Sequence, residues 1–149
     1  MAEARDLYFD SALIAKFYLN EPGREAVREL CGVAQSVSSS AIAIAEVSAA
    51  FHRKYREGAI DAAVWKALNG QFSHDLKAGL WTLAPVSDVV MDGVRTLFAG
   101  LGPAVYLRSL DALHLVTAKL EKFEQLYTND RHLLEGCAKA GLHGTNPLA

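Results

Sequence analysis

Four acidic residues lie in apolar sequence, where a carboxylate needs a specific partner. Asp10 is flanked by Leu-Tyr-Phe and Ala-Leu-Ile, and Glu46 is the only charge in an alanine-rich stretch. Asp111 stands inside a leucine-rich run, and Asp130 follows Leu-Tyr-Thr-Asn. Burial of an unpaired carboxylate is costly, so each acid needs a hydrogen-bond donor, a positive charge or a changed protonation state. A divalent metal ion is a partner that several carboxylates can share.

Each acid also has a local explanation that involves no chemistry. Asp10 and Asp130 are predicted to follow strands and precede helices, where Asp is a favoured N-cap. Asp111 is predicted in the first turn of a helix, where the helix dipole favours negative charge. Glu46 is predicted in the middle of a helix, where capping does not explain it and a salt bridge is the main alternative to function. Taken one at a time, these alternatives stay open.

The elements that would position these acids alternate between short strands and helices. Strands are predicted at residues 7–9, 36–40, 80–85, 125–128 and 142–145, and helices at residues 11–19, 22–30, 41–57, 61–78, 87–98, 110–121 and 130–140. This alternation predicts an α/β fold, in which a central parallel sheet of about four or five short strands is flanked by helices on both faces. The length suits one domain, residues 1–149.

The predicted sheet brings the four acids together. Ligands of such sheets bind beyond the carboxyl ends of the strands, and Asp10, Asp111 and Asp130 all fall at that edge. Glu46 reaches the same place if its helix starts there. Four converging carboxylates without a cation would repel one another, whereas Mg²⁺ and Mn²⁺ take oxygen ligands. The chemistry that this arrangement suggests is metal-assisted hydrolysis of a phosphodiester.

Composition narrows the class of protein further. The net charge of −2 gives no global sign of nucleic-acid binding, so local charge or a bound metal would have to attract a nucleic acid. Cys31 and Cys137 are far apart and form no zinc-binding pattern, which favours reduced thiols. Neither a signal peptide nor an apolar stretch of about 20 residues is present. We therefore expect a cytoplasmic protein without a membrane segment.

Three motifs carry a resemblance to a known family. Residues 8–18, Tyr-Phe-Asp-Ser-Ala-Leu-Ile-Ala-Lys-Phe-Tyr, followed by Glu-Pro-Gly, resemble the opening of PIN domains. Residues 107–115, Leu-Arg-Ser-Leu-Asp-Ala-Leu-His-Leu, resemble their third acidic motif, and residues 126–133, Leu-Tyr-Thr-Asn-Asp-Arg-His-Leu, resemble the fourth. Glu46 occupies the place of the second. The order and spacing of these motifs match the family along nearly the whole chain.

The resemblance implies a PIN-like fold and an activity. The activity is endonucleolytic cleavage of RNA that depends on Mg²⁺, with Mn²⁺ as a substitute, in the role of the VapC toxin of a type II toxin–antitoxin system. Asp10 and Asp111 would be the principal metal ligands, and Glu46 and Asp130 would complete the set of catalytic acids. The implied partners are an RNA substrate, a VapB-like antitoxin and a second copy of the chain in a homodimer.

Further residues around the acids receive roles from their position. Ser11 and Thr128 resemble the family's supporting hydroxyl residues. Arg108 and Arg131 flank acidic motifs and either contact RNA phosphates or balance charge. His114, three residues after Asp111, is either a metal ligand or proton donor or a packing residue, and packing is the favoured interpretation. Away from the motifs, Arg53, Lys54 and Arg56 are interpreted as a solvated helix face rather than an RNA track, and Lys16 as a solvated side chain. The apolar stripe of residues 61–79 suits a core face or a partner groove.

Other functions compete with the toxin hypothesis. The same motifs fit a PIN-type nuclease of RNA processing or DNA cleavage, and a non-catalytic PIN module that binds RNA or protein. The four acids argue against the non-catalytic module, because a scaffold has no need for them. A phosphohydrolase with an aspartyl nucleophile usually carries a second Asp two residues after the first, where this chain has Ala12. Some relatives also carry a further acid at the position of His132, so a second metal is less well supported than the first.

Overall fold

The computed structural model describes residues 5–149. Residues 1–4, which belong to the predicted single domain, lie outside the described residues. Along the chain the elements are β1 Asp6–Tyr8, α1 Ser11–Tyr18, α2 Arg24–Val33, β2 Ser36–Ser40, α3 Ala43–Arg56, α4 Ala62–Ala78, β3 Trp81–Ala84, α5 Asp88–Ala99, α6 Ser109–Leu120, β4 Gln125–Tyr127, α7 Arg131–Lys139 and β5 His143–Thr145.

All strand pairs are parallel, as the sequence predicts. Strands β1, β2 and β3 form one ladder with β2 in the centre, and β4 pairs with β5 in a second. A single bridge between Phe9 and Tyr127 joins the two ladders, and the Asp10 N–H donates to the Tyr127 carbonyl at 3.1 Å. The five strands therefore run in the spatial order β3-β2-β1-β4-β5. Because the strands are parallel, their carboxyl ends meet at one edge.

Two clusters of buried side chains fill the space between the sheet and the helices. The larger cluster includes Phe9, Leu13 and Phe51, and the smaller one includes Tyr8 and Leu115. Tyr8, the last residue of β1, and Phe9, directly after it, belong to the two different clusters, and neither is exposed. A strand buried on both faces reads as a continuous apolar run in the sequence.

Most element boundaries agree with the predicted ones to within two residues, and two differences matter. Helix α2 begins at Arg24, after Gly23 with a positive φ of 95°, and not at Pro22. The prediction that Glu46 lies in the middle of its helix is wrong, because α3 begins at Ala43 and Glu46 lies in its first turn. The dipole of α3 therefore favours a negative charge at this position, which a place in the middle of the helix would not provide.

The other predicted features of the fold have clear outcomes. The apolar stripe of α4 packs mostly on the larger cluster, through Trp65, Leu68, Phe72 and Leu76. Cys31 and Cys137 are free thiols, and burial raises the pKa of Cys137 to about 11. Between residues 5 and 149, no helix has both the length and the apolar character that a membrane crossing requires.

A buried polar network ties α1, α4 and β3 together. The Tyr18 hydroxyl donates to Asp75 Oδ2 at 2.6 Å and accepts from Trp81 Nε1 at 2.7 Å. Gln71 Nε2 donates to the other carboxylate oxygen of Asp75 at 2.9 Å. One hydroxyl therefore satisfies both a buried carboxylate and a buried indole N–H.

We expect Tyr18→Phe to lower the free energy of unfolding by about 1–3 kcal/mol, because it leaves Asp75 and Trp81 without this partner while the ring still fills its place. Urea denaturation followed by circular dichroism measures the change. The matched control is Tyr55→Phe, which removes an exposed hydroxyl and should change stability by no more than about 0.5 kcal/mol. Equal effects of the two substitutions would contradict the structural role of the network.

Candidate active site

A cavity of about 310 Å³ lies where β1 and β4 end and where α3 and α6 begin. We call it the acid pocket, and its lining includes all four predicted acids. The lining residues are Asp10, Ser11, Ala12, Glu46, Arg108, Asp111, His114, Asn129 and Asp130. Acids that are up to 120 positions apart in the sequence therefore border one small space. Parallel pairing explains this convergence, because it sends the strand ends and the following helix starts to the same edge.

Asp10 is the most deeply placed acid of the pocket. It is 5% exposed and caps α1 by accepting from the Leu13 N–H at 3.0 Å. Its second oxygen accepts from Thr128 Oγ1 at 2.5 Å. Burial raises the pKa of Asp10, and the hydrogen bond from Thr128 opposes that rise. A carboxylate in this state gains much from a nearby cation, because a positive charge restores the favourable energy of its ionised form.

Thr128 supports two acids at once, as the sequence resemblance suggested for one of them. Its hydroxyl donates to Asp10 and accepts from the backbone N–H of Asp130 at 3.0 Å, and the residue is fully buried. Asp130 in turn caps α7 by accepting from the Leu133 N–H at 3.0 Å. The capping explanations for Asp10 and Asp130 are therefore both realised, alongside their place in the pocket.

Glu46 is held by two side chains from other helices. Ser11 Oγ donates to Glu46 Oε1 at 2.6 Å, and His114 Nε2 lies 3.0 Å from the same oxygen. Burial alone would raise the pKa of Glu46, but its hydrogen bonds with His114 and Ser11, together with neighbouring positive charge, lower the pKa below its ordinary value. Glu46 therefore remains an anion across the neutral pH range, oriented toward the pocket.

His114 connects the pocket to the core, which the packing interpretation underestimated. Its Nδ1 shares a hydrogen bond of 2.9 Å with the Tyr8 hydroxyl, and its Nε2 lies 3.0 Å from Ser11 Oγ. Because the Ser11 hydroxyl already donates to Glu46, it accepts from His114, which assigns a hydrogen to Nε2. The available signal was the spacing of three residues from Asp111, which places both side chains on one side of α6. Tyr8 carried no such signal.

Arg108 is the cation that neutralises the other two acids. Its Nε donates to Asp111 Oδ2 at 3.0 Å, and its Nη2 donates to Asp130 Oδ2 at 2.7 Å. The backbone N–H of Arg108 also donates to Asp111, which completes a capping box at the start of α6. Arg131 lies apart, exposed at the start of α7 and outside the lining of the acid pocket.

The donor set of the pocket suits a hard divalent cation, although the side chains are not arranged as a metal site. Within residues 5–149, no group of three His, Cys, Asp or Glu side chains is placed to hold an ion. The existing hydrogen bonds explain why, since Thr128 holds Asp10, Ser11 holds Glu46, and Arg108 holds the remaining acids. The Arg108 guanidinium supplies the positive charge between Asp111 and Asp130. Carboxylate oxygens are the ligands that Mg²⁺ and Mn²⁺ prefer, so the residues present fit these ions.

The fold and the pocket define a parallel α/β protein with an acidic site at the strand ends. The model of the PIN domain family matches residues 7–138, so the chain belongs to the PIN domain family. This match confirms the resemblance seen in the acidic motifs and the predicted fold class. A search of curated proteins gives no match.

Solved structures with the same fold are distant in sequence. FitAcB from Neisseria gonorrhoeae is 16% identical with a TM-score of 0.76, over 95% of this chain and 97% of the other. FitAB bound to an IR36 DNA fragment is 17% identical with a TM-score of 0.70, over 96% of each chain. A toxin–antitoxin complex from Klebsiella pneumoniae is 16% identical with a TM-score of 0.58, over 95% of this chain and 97% of the other. At these identities the likeness concerns the fold.

We expect Thr128→Val to lower the free energy of unfolding by about 1–3 kcal/mol, because it leaves the Asp130 N–H unpaired and removes a donor from buried Asp10. Thr128→Ser keeps the hydroxyl and should retain most of the stability. Urea denaturation of both variants measures the difference. A Ser variant as unstable as the Val variant would show that the methyl group, and not the hydroxyl, matters at this position.

Proposed function

We propose that this chain is a Mg²⁺-dependent endoribonuclease that acts as a VapC-type toxin, with Mn²⁺ as a possible substitute for Mg²⁺. The observation that carries the proposal is the convergence of Asp10, Glu46, Asp111 and Asp130 on one cavity of about 310 Å³. Nothing in the local roles of these acids requires them to share a space. The membership in the PIN domain family supports nuclease chemistry at the same place.

Within this proposal the four acids contribute unequally to the binding of the ion. Asp10 and Asp111 are the principal ligands, and Glu46 and Asp130 complete the site directly or through water. A bound Mg²⁺ supplies a Lewis acid that neutralises the phosphate and lowers the pKa of a water molecule. Ligation of Asp111 requires the Arg108 guanidinium to release at least part of its hold on this carboxylate.

The remaining residues of the pocket position the acids and the substrate. Thr128 fixes the rotamer of Asp10, while Ser11 and His114 fix that of Glu46. Arg108 is 55% exposed at the mouth of the pocket, so a guanidinium released from the acids can contact an RNA phosphate. Arg131 is exposed on the neighbouring helix start, where it is a second possible phosphate contact.

The toxin role rests on the kind of assembly in which the fold occurs. One of the solved structures with this fold is a toxin–antitoxin complex, and on that basis we assign this chain a small VapB-like antitoxin as its inhibitor. We further propose a homodimer in the cytoplasm. Helix α5 exposes Val89, Met91 and Phe98 by 65%, 51% and 38%, an apolar set that a second copy would cover. Sedimentation equilibrium of the chain alone tests the dimer.

We expect Asp10→Asn and Asp111→Asn each to lower the rate of RNA cleavage by on the order of a hundredfold or more, because each removes a charge that holds the metal. Both folds should persist. At position 10, Asn is also a good N-cap. At position 111, the amide oxygen of Asn can still accept from the backbone N–H of Arg108. The measurement is cleavage of a labelled single-stranded RNA with Mg²⁺, beside EDTA and a DNA strand of the same sequence.

The control for this assay is Glu135→Gln, which removes a charge from the exposed side of α7. It should cleave RNA at the native rate. Native cleavage by either Asp variant, with folding verified by circular dichroism, would refute the ligand assignment. Cleavage of DNA alone would favour the DNA-nuclease alternative, and binding without cleavage would favour the non-catalytic module.

A further inference from the structure

A second and larger cavity, of about 690 Å³, opens directly beside the acid pocket. We call it the basic groove. It runs between α1 and α3 and extends to the start of α6. The basic groove shares six residues with the acid pocket, namely Ser11, Ala12, Glu46, Arg108, Asn129 and Asp130. The two cavities are therefore continuous, and a molecule that lies in the groove has its end at the acids.

The basic groove concentrates positive charge in a chain whose net charge is −2. Five basic and three acidic side chains line it. The basic ones are Lys16, Arg53, Lys54, Arg56 and Arg108. This placement changes the interpretation of Arg53, Lys54 and Arg56, because the helix face that carries them borders a groove rather than open solvent. The basic side chains are in excess, and a local excess of one sign of charge attracts ligands of the opposite sign.

Two of these cations, Arg53 and Arg56, are free to bind an external anion. Lys16 and Lys54, by contrast, both face Glu21, with Nζ to carboxylate distances of 3.0 and 3.7 Å. Arg53 and Arg56 are exposed, and neither forms a salt bridge with any residue in the described part of the chain. A charged side chain that lines a groove without an internal partner is suited to bind a ligand there.

The free arginines follow the acid along one helix. Arg53 lies two turns after Glu46 on the same side of α3, and Arg56 lies nearly one turn further. With a rise of about 1.5 Å per residue, they stand roughly 10 and 15 Å from Glu46 along the helix axis. Ala49 and Ala50 lie between Glu46 and Arg53, and their small side chains leave the groove open. This spacing suits a chain of phosphates that runs away from the acid pocket over a few nucleotides.

The groove offers few side chains that could stack or read bases. Among the described residues that line it, none is Phe, Tyr or Trp, His52 is the one aromatic ring and Asn129 the one amide. Single-stranded nucleic acid that is bound through its bases normally stacks on such rings, whereas binding through phosphates needs only cations. The cationic side chains outnumber these two, so the contacts available here are mainly with the sugar–phosphate backbone.

We propose that the basic groove binds the backbone of single-stranded RNA next to the bond to be cut, with Arg53 and Arg56 as its principal phosphate contacts. This inference rests on the proposed function, and it adds the path of the substrate and the two residues that hold it.

The test is binding of a fluorescein-labelled single-stranded RNA to the full chain, measured by anisotropy over a range of salt concentrations. Asp10→Asn serves as the background so that the RNA stays intact in Mg²⁺. We expect the double variant Arg53→Gln/Arg56→Gln to bind about tenfold more weakly. The slope of log K against log salt should become shallower by about 1.4, since each phosphate contact on a single strand contributes about 0.7.

Two further variants separate charge from structure. Arg53→Lys/Arg56→Lys keeps both charges and should retain most of the binding and the salt slope. Lys66→Gln/Lys77→Gln removes two charges from the exposed surface of α4, outside the groove, and should leave the slope unchanged. A scrambled RNA of equal length should bind the native groove as well as the first RNA does.

The outcomes distinguish this inference from the proposed function. If the native chain cleaves RNA but the double Gln variant keeps the native affinity and slope, the groove assignment is overturned and the nuclease stands. If the native chain neither binds nor cleaves RNA, the proposed function itself fails. If the double Gln variant loses an acidic peptide partner while it binds RNA normally, the groove is a protein-docking site and the RNA assignment is wrong.

Discussion

The need to satisfy buried carboxylates governs this structure. Parallel pairing brings four acids to one edge of the sheet, where each is withdrawn at least partly from water. Each acid therefore has its own donor: Thr128 for Asp10, Ser11 for Glu46, and the forked Arg108 for Asp111 and Asp130. These donors come from separate elements, so the satisfaction of the acids also fixes how α1, α3, α6 and α7 meet around the pocket.

The sequence predicted the fold and the shared edge well, because both follow from local patterns. A buried strand reads as an apolar run, and the acids stand directly after such runs or at the start of helices. The place of Glu46 was mispredicted since Ser40, the polar residue before α3, accepts from the Ile42 N–H in a turn that delays the start of the helix. The pair of Arg108 with Asp111 is local and agrees with the charge-balancing interpretation, whereas the bonds of Arg108 to Asp130 and of His114 to Tyr8 span 22 and 106 positions and depend on tertiary placement.

Charges of opposite sign are concentrated on neighbouring surfaces. The acid pocket is lined by four carboxylates and the basic groove has an excess of basic side chains, although the whole chain is nearly neutral. Arg108 lines both cavities, and it is the only basic residue to do so among those that the structure describes. Its guanidinium compensates Asp111 and Asp130, and it lies where the two cavities join. A net charge of −2 therefore conceals a local excess of positive charge at the groove.

The double duty of the acids has a consequence for judging distant relatives. Asp10 and Asp130 cap helices, so selection for folding alone could preserve them after catalysis has been lost. The imidazole of His114 is different, since it presents one nitrogen to a core tyrosine and the other to the pocket, and no other natural side chain offers nitrogens on two sides of a small rigid ring. The presence of Tyr8, Ser11 and His114 in a homologue therefore indicates an intact pocket more specifically than the number of its carboxylates does.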